Sequence, residues 1–503
     1  MQDARVIRET SFVKGYCDKL KPELLPDGYC AAAVNCFLDD QTIEKRHGYT
    51  EMGTDVKVDK PILSQAGIEF SGGTKFKLRA RDNAAGTKSV IEGWTGSGAW
   101  GTLTGADSQT AGKDHVFVVA KDACYIVNDT DTVLKTTNGT STSTVAGFPK
   151  GIDAKWFHNF MFVLTASGRL YWSSLNDPET YGAESYIDVN PLDGDVGVGL
   201  AVLKDELFIV KKNRVWALTG FGEADFAVDD LGERLSGLGA QSRQSIVETG
   251  NDVYFLSFVA GIPHFRGIKR TEYGATVAGE VLSDAIEGTM KSLVKNQLGN
   301  CAGIYDGRKI WWAVTASGGY NNLALVYDTL TKGWTRHTGI NASCWSLSSL
   351  GGYPEVYFGE ASASAKTYKL DNSTSDNGED IVMEFRTRMY NPFPERKCKW
   401  KYLYLAADVK SDATLDVDYS IDGFDFVDLK TLELTGRGSK LPMTLDYDKL
   451  GTATIVRERL DSAGGTSYKV QYRFRNASDT DEVTIREYQL LYKPRGLRGI
   501  SEA

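Results

Sequence analysis

Gly96-Ser97-Gly98-Ala99-Trp100-Gly101 has the spacing of a dinucleotide-binding loop. That chemistry needs a strand before the glycines and a helix opening within them, so that amides at the helix N-terminus meet the pyrophosphate. Here Trp94 and Trp100 flank the glycines in a β context and no helical period follows, so the stretch reads as a Gly-rich hairpin. Asp193-Gly194-Asp195 offers carboxylates to a cation but lacks the further oxygen ligands of a calcium loop, and reads as a turn. The five histidines, His47, His115, His158, His264 and His337, are scattered without metal-ligand spacing. There is no nucleophile elbow. These residues name no catalytic group, no metal site and no cofactor, and the expectation is a protein that is not an enzyme.

Two further stretches carry chemistry of a weaker kind. Ser420-Ile421-Asp422-Gly423-Phe424-Asp425-Phe426 resembles the aspartate-box turn of sialidase propellers, without the residue that separates Asp and Gly in that box. Its plain reading is a hairpin turn at Asp422-Gly423. Arg396, Lys397, Lys399 and Lys401 surround Trp400. Basic residues interleaved with an aromatic can grip phosphate and stack bases; on an alternating strand they equally form a solvated face. Lys493, Arg495 and Arg498 add a basic C-terminal stretch.

The elements that would position these residues repeat. Phe160-Met161-Phe162-Val163-Leu164 is answered by Leu207-Phe208-Ile209-Val210, and each run follows a polar turn and precedes a second short strand. The apolar strand recurs at Phe76, Val116, Val253, Ile310 and Val356, with successive spacings of 40, 44, 47, 46, 57 and 46. Self-similarity at this period with all-β content predicts propeller blades, because one blade cannot bury its own face and a ring of blades can. Seven copies predict about seven blades, with six or eight open. The competing reading is a series of unrelated hairpins in large sandwiches.

Composition sets the bounds. The chain has 503 residues, 42% of them apolar, with 52 Gly and only 12 Pro, a mix that suits many tight hairpins. Fifty-seven basic against 66 acidic residues give a net charge of −9, where a dedicated nucleic-acid binder is usually basic. The seven cysteines are odd in number and form no C-x-x-C, which reads as reduced, buried thiols in a protein made in the cytoplasm. No signal-peptide pattern opens the chain, and no apolar run is long enough to cross a membrane.

Four regions follow. Residues 1–60 form an N-terminal segment that lies across the propeller or lends a strand to its last blade. Residues 61–375 carry the blades, with a helical insertion marked by Leu282, Ile286, Met290, Leu293 and Leu298, expected to pack on a blade edge. A polar linker, 371–378, leads to residues 379–495. There Leu415, Val417, Tyr419 and Ile421, and again Tyr468, Val470, Tyr472 and Phe474, alternate with polar residues, predicting a β-sandwich of about seven strands. Residues 496–503 read as a flexible tail. The fold class is therefore all-β: a propeller with an extended N-terminal segment and a C-terminal sandwich.

Two stretches resemble the tail nozzle, or packaged-DNA stabilisation, proteins of short-tailed bacteriophages. One is Leu25-Pro26-Asp27-Gly28 through Asn35 to Glu44-Lys45-Arg46-x-Gly48-Tyr49. The other runs from Tyr171-Trp172-Ser173-Ser174 through Asn176-Asp177-Pro178-Glu179-Thr180 to Lys204–Val210 and Val215–Gly220. The resemblance implies a structural virion protein of the tail, assembled in the host cytoplasm as a homo-oligomeric ring, usually of six copies. It also implies portal or adaptor proteins and tail fibres or spikes as neighbours. Packaged duplex DNA would be retained in the channel and conducted through it on ejection.

On this reading the 173–199 connection, with Asn176, Asp177, Asp193 and Asp195, is the candidate assembly loop, being the longest polar, Gly-rich connection beside a regular blade pair. Arg396, Lys397, Lys399, Lys493 and Arg495 are the candidate DNA contacts. The alternative is a carbohydrate-active or carbohydrate-binding propeller. Trp311, Trp312, Trp334 and Trp345 would then line a sugar site, with two carboxylates roughly 5–10 Å apart doing any chemistry.

Overall fold

The computed structural model describes residues 4–39, 42–54, 58–231, 237–270, 276–279, 281–409, 413–434, 454–461, 465–480 and 482–495. Among them strands dominate, and the one α-helix is Glu287–Ser292. The chain divides into two compact units. One comprises Thr50–Leu325 and Ile340–Leu370; the other comprises Met1–Tyr49, Val326–Gly339 and Asp371–Ala503.

The first unit is a β-propeller. Its building block is clearest in the sheet of Asp153–Phe157, Phe160–Leu164, Arg169–Trp172 and Tyr186–Asp188, four antiparallel strands in chain order. The central apolar run is buried throughout because both faces of the sheet are covered by neighbours. Its first hairpin closes on His158-Asn159, with φ of 48° and 64°. Lys121-Asp122 and Ala260-Gly261 close the matching tight turns with positive φ at both positions. These are the mirror-image turns whose twist matches that of the strands they join.

Among the described residues six such sheets are complete in themselves. Their first strands lie side by side in sequence, from Ile62–Glu69 through Val116–Ala120, Asp153–Phe157 and Gly197–Leu203 to Val247–Glu248. Ala302–Tyr305, which belongs to a larger sheet and not to one of the six, comes next, then Ala342–Ser348, and this last packs back on Ile62–Glu69. Cores form between consecutive sheets: Tyr125 and Val127 share one with Met161 and Val163, and Phe162 and Leu164 share the next with Leu207 and Ile209. The strand Gly48–Glu51 is the outermost of the sheet Ala342–Ser348, Glu355–Glu360, Thr367–Ser373, so an early piece of chain supplies the fourth strand of the last sheet. The predicted insertion forms short 3-10 turns on either side of Glu287–Ser292. Ile286 and Met290 are fully buried, and the helix packs on the strand Ile262–Arg270.

The second unit holds two sheets. One contains Arg5–Glu9, Cys36–Asp39, Thr42–Lys45, Cys398–Val409, Thr454–Asp461 and Val483–Pro494. The other, within this unit, contains Ala32–Val34, Trp334–His337, Ile381–Arg386, Ala413–Ile421, Val427–Leu434 and Val470–Ser478. Rings from both meet in one core: Phe12 packs on Phe385 and Tyr488, and Phe474 on Tyr488.

Three expectations change here. Most of the N-terminal segment belongs with the C-terminal sheets, as does 326–339. The 371–378 stretch is no free linker, because Asp376 is buried against Arg46. The alternation in Ala413–Ile421 slips at a bulge between Val417 and Asp418: Leu415 and Val417 are buried, then Asp418 and Ser420 take the inward phase, and Tyr419 and Ile421 are only half-buried. The expected tail, 496–503, lies outside the described residues.

Candidate nucleic-acid interface

The basic residues singled out at two distant points of the chain meet at one end of a sheet, on two adjacent inner strands. The start of Cys398–Val409 pairs with the end of Val483–Pro494, so Cys398 faces Pro494 and Lys399 faces Lys493 directly. The Arg495 amide donates to the Lys397 carbonyl at 3.0 Å and extends the ladder by one step. Lys397, Lys399 and Arg495 are exposed, and Arg396 and Lys493 half-buried. Among the described residues no carboxylate pairs with any of the five. Like charges directly opposite one another across two strands are unfavourable. The Lys399–Lys493 pair is thus a local cost within a chain of net charge −9.

The aromatic partners differ from the expected ones. Trp400 points inward, 2% exposed, with its indole N–H on Ser467 Oγ at 2.8 Å and its ring against Tyr492. It presents no stacking surface. Tyr468 takes that place, 40% exposed, with the Lys397 ammonium 5.4 Å above its ring. Arg5 lies 5.1 Å over Phe393 and joins the same corner, because Arg5 pairs with Tyr492, the residue before Lys493 on the strand Val483–Pro494. Arg5 was not singled out from sequence, since nothing local links residue 5 to residue 492.

The expected assembly loop is two loops. The strand Tyr186–Asp188 divides 173–199, so Asn176 and Asp177 precede it at one end of the sheet, while Asp193 and Asp195 follow it at the other. Each acidic residue has a structural task. Asp177 accepts the Glu179 amide, and Glu179 ties this sheet to the previous one through Tyr125 and Lys135. Asn176 accepts from Lys121 of that same neighbour. Asp193 pairs with Lys211, whose side chain is wholly buried, and Asp195 accepts the Asn213 backbone and side-chain amides. The Asp193 carboxyl sits below its ordinary range: burial pushes it up, but the Asp195 amide and the Lys211 ammonium outweigh that.

The N-terminal stretch that carries the nozzle resemblance is also a structural knot. Asn35, at φ 52°, accepts Arg46 Nε at 3.0 Å and the Thr338 amide at 2.9 Å, and donates to the Val382 carbonyl at 2.8 Å. Arg46 is bidentate to Asp376 at 2.7 and 2.5 Å, with side-chain exposures of 1% and 7%. Gly48 passes so close to the Ser375 carbonyl that no Cβ fits. These residues fasten the early strands to the late ones.

The tryptophans of the carbohydrate reading are mostly interior. Trp311, Trp312 and Trp334 are at most 1% exposed. The indole N–H groups of Trp311, Trp312 and Trp345 donate to Asp306, the Ser245 carbonyl and the Ala302 carbonyl. All seven cysteines are buried thiols. Among the described residues no group of His, Cys, Asp and Glu is arranged to hold a metal, and no helix is long and apolar enough to cross a membrane.

No family model matches the chain, and no curated protein matches it. Among solved structures the chain is similar to the Pan2 WD40 domain of Neurospora crassa, with 7% identity over 67% of this chain and 98% of that one, at a TM-score of 0.43. It is similar to a structure described as YCF48 bound to D1 peptide, with 12% identity over 64% and 99% at 0.38. A glycoside hydrolase matches with 10% identity over 87% and 97% at 0.25. The propeller assignment rests on the strand pairing described above.

Proposed function

We propose that this chain is a structural, non-enzymatic virion protein of a short-tailed bacteriophage tail. It is a nozzle subunit that assembles into a homohexameric ring around the DNA channel, beside portal or adaptor proteins and tail fibres or spikes, and it retains packaged DNA and conducts it on ejection. In this reading the strands Ala302–Tyr305, Lys309–Val314 and Leu323–Asp328 count as a further blade beside the six complete sheets, giving seven. The two sheets of the second unit form the C-terminal sandwich.

The observation that carries the reading is the unpaired basic corner on an acidic chain. A duplex bears about one charge per 1.7 Å of axis, and a channel walled with Lys and Arg would hold it by counterion release. A net charge of −9 per copy instead repels the duplex over a screening length of about 8–10 Å and lets it slide. A small basic corner then supplies local, reversible contact. Duplex binding by the purified protein tests this. At low salt it is measurable and falls steeply as salt rises. At physiological salt it is no tighter than the ~10⁻⁶–10⁻⁴ M of non-specific contacts. The double variant Lys399→Glu, Lys493→Glu loses the low-salt binding. Nanomolar affinity at physiological salt, or low-salt binding untouched by the double variant, contradicts it.

A further inference from the structure

Inside the propeller unit the first strands of the sheets surround two chambers, of about 440 and 600 Å³. Arg243 and Gln244 line both. They sit on the 3-10 turn Arg243–Ser245, just before the strand Val247–Glu248, and reach to other sheets. Arg243 Nε and Nη2 donate to Asp114 at 2.9 and 2.5 Å. Gln244 Nε2 donates to the Leu63 carbonyl at 3.0 Å and to Asp114 at 3.1 Å. The turn is thereby fixed before any ligand arrives.

The smaller chamber has the size of a ligand pocket, about 300–1,000 Å³. Asp153 lies in its wall and accepts the Leu200 and Ala154 amides at 2.7 and 3.0 Å. Burial pushes the Asp153 carboxyl up, with Arg243 and Lys155 partly opposing. Glu248 accepts Lys155 at 2.8 Å and the Val202 amide at 2.9 Å, both on Oε1. Side chains of Lys155 and Glu248 are about a third exposed, so solvent reaches them. Among the described residues Glu248 Oε2, Gln244 Oε1 and Arg243 Nη1 have no partner. The half-buried indole of Trp156 completes the wall.

This set selects a ligand class by exclusion. An anion such as phosphate meets Asp153 and Glu248. A cation meets Arg243 and Lys155. An apolar molecule strands polar groups without partners. A neutral polyol offers hydroxyls that donate to Glu248 Oε2 and Gln244 Oε1, accept from Arg243 Nη1, and present an apolar face to Trp156. We propose that this chamber binds a neutral saccharide unit, with Gln244, Arg243 and Glu248 as hydroxyl partners and Trp156 as the stacking wall.

The test is titration of the full chain with D-glucose, D-galactose, D-mannose and N-acetylglucosamine, followed by ligand-observed NMR and tryptophan fluorescence, with inorganic phosphate as the anionic control. At least one sugar is expected to bind saturably at millimolar concentration or tighter, without competition from phosphate. Gln244→Ala, shown by its melting curve to stay folded without the tethers to Leu63 and Asp114, weakens that binding about tenfold, the scale of one lost hydrogen bond. Trp156→Phe, folded by its melting curve, weakens it less. No saturable binding of any of the four sugars up to ~50 mM, displacement by phosphate, or binding unchanged in Gln244→Ala would each overturn the proposal.

Discussion

Lys77 sits in the strand Lys75–Asp82, 1% exposed, with Nζ against the Tyr357 ring, 5.6 Å from that of Trp94, and without a hydrogen-bond partner among the described residues. Burial pushes its ammonium down to about 5, with Glu355 only partly opposing. At neutral pH the folded protein therefore holds a neutral amine, whose N–H meets a π face. In the unfolded chain the same group titrates near ~10.4. Protonation thus favours the unfolded state: the penalty is greatest below about pH 5 and falls as pH rises toward ~10. Lys77→Met removes it. The variant is expected to be more stable than the wild type at pH 7 by a few kcal/mol, with a gap that narrows toward pH 10 in chemical denaturation. A less stable variant, or a gap independent of pH, would count against a neutral buried amine. The value of the position is invisible in sequence, where Lys77 reads as the polar member of an alternating strand.

The recurring apolar strands were legible because period-two and all-apolar runs report burial directly. Phe160–Leu164, Glu206–Lys211 and Lys309–Val314 are the second strands of their sheets, where the repeat places them, and Leu207 and Trp311 are fully buried. Leu207→Asp or Trp311→Asp puts an uncompensated charge between packed sheets at a cost of several kcal/mol, so both variants should fail to accumulate as soluble protein. Wild-type yields of folded protein from both would show that the strand register is wrong. What was not legible depends on partners far away in the chain. The Val417–Asp418 slip lies in the pairing with Val427–Leu434, while on the other side Asp418 pairs in regular register with Arg473 and accepts from it at 2.7 Å. Asp376 looked like linker because its partner, Arg46, lies at the other end of the sequence. Asp193 and Asp195 looked like one loop with Asn176 and Asp177 because a three-residue strand, Tyr186–Asp188, is too short to show a period. The basic corner was half legible: each cluster stood out, but only strand pairing joins Lys399 to Lys493 and brings in Arg5.

At the scale of the molecule, an all-β chain of net charge −9 spends its chemistry on holding itself together. The residues that resemble the nozzle family are fasteners: Asn35 and Arg46, the latter held by Asp376, in one unit, Asp177 and Glu179 in the other. That is the economy of a scaffold, and it is consistent with the proposed ring. Oligomeric mass is the most direct measure of that claim, because the rival reading as a carbohydrate-active or carbohydrate-binding propeller does not require a closed ring. Native mass spectrometry and sedimentation of the purified chain at micromolar concentration are predicted to show one dominant closed species of about six times the 55.2 kDa protomer. A species that stays at the protomer mass across that concentration range would contradict the nozzle reading.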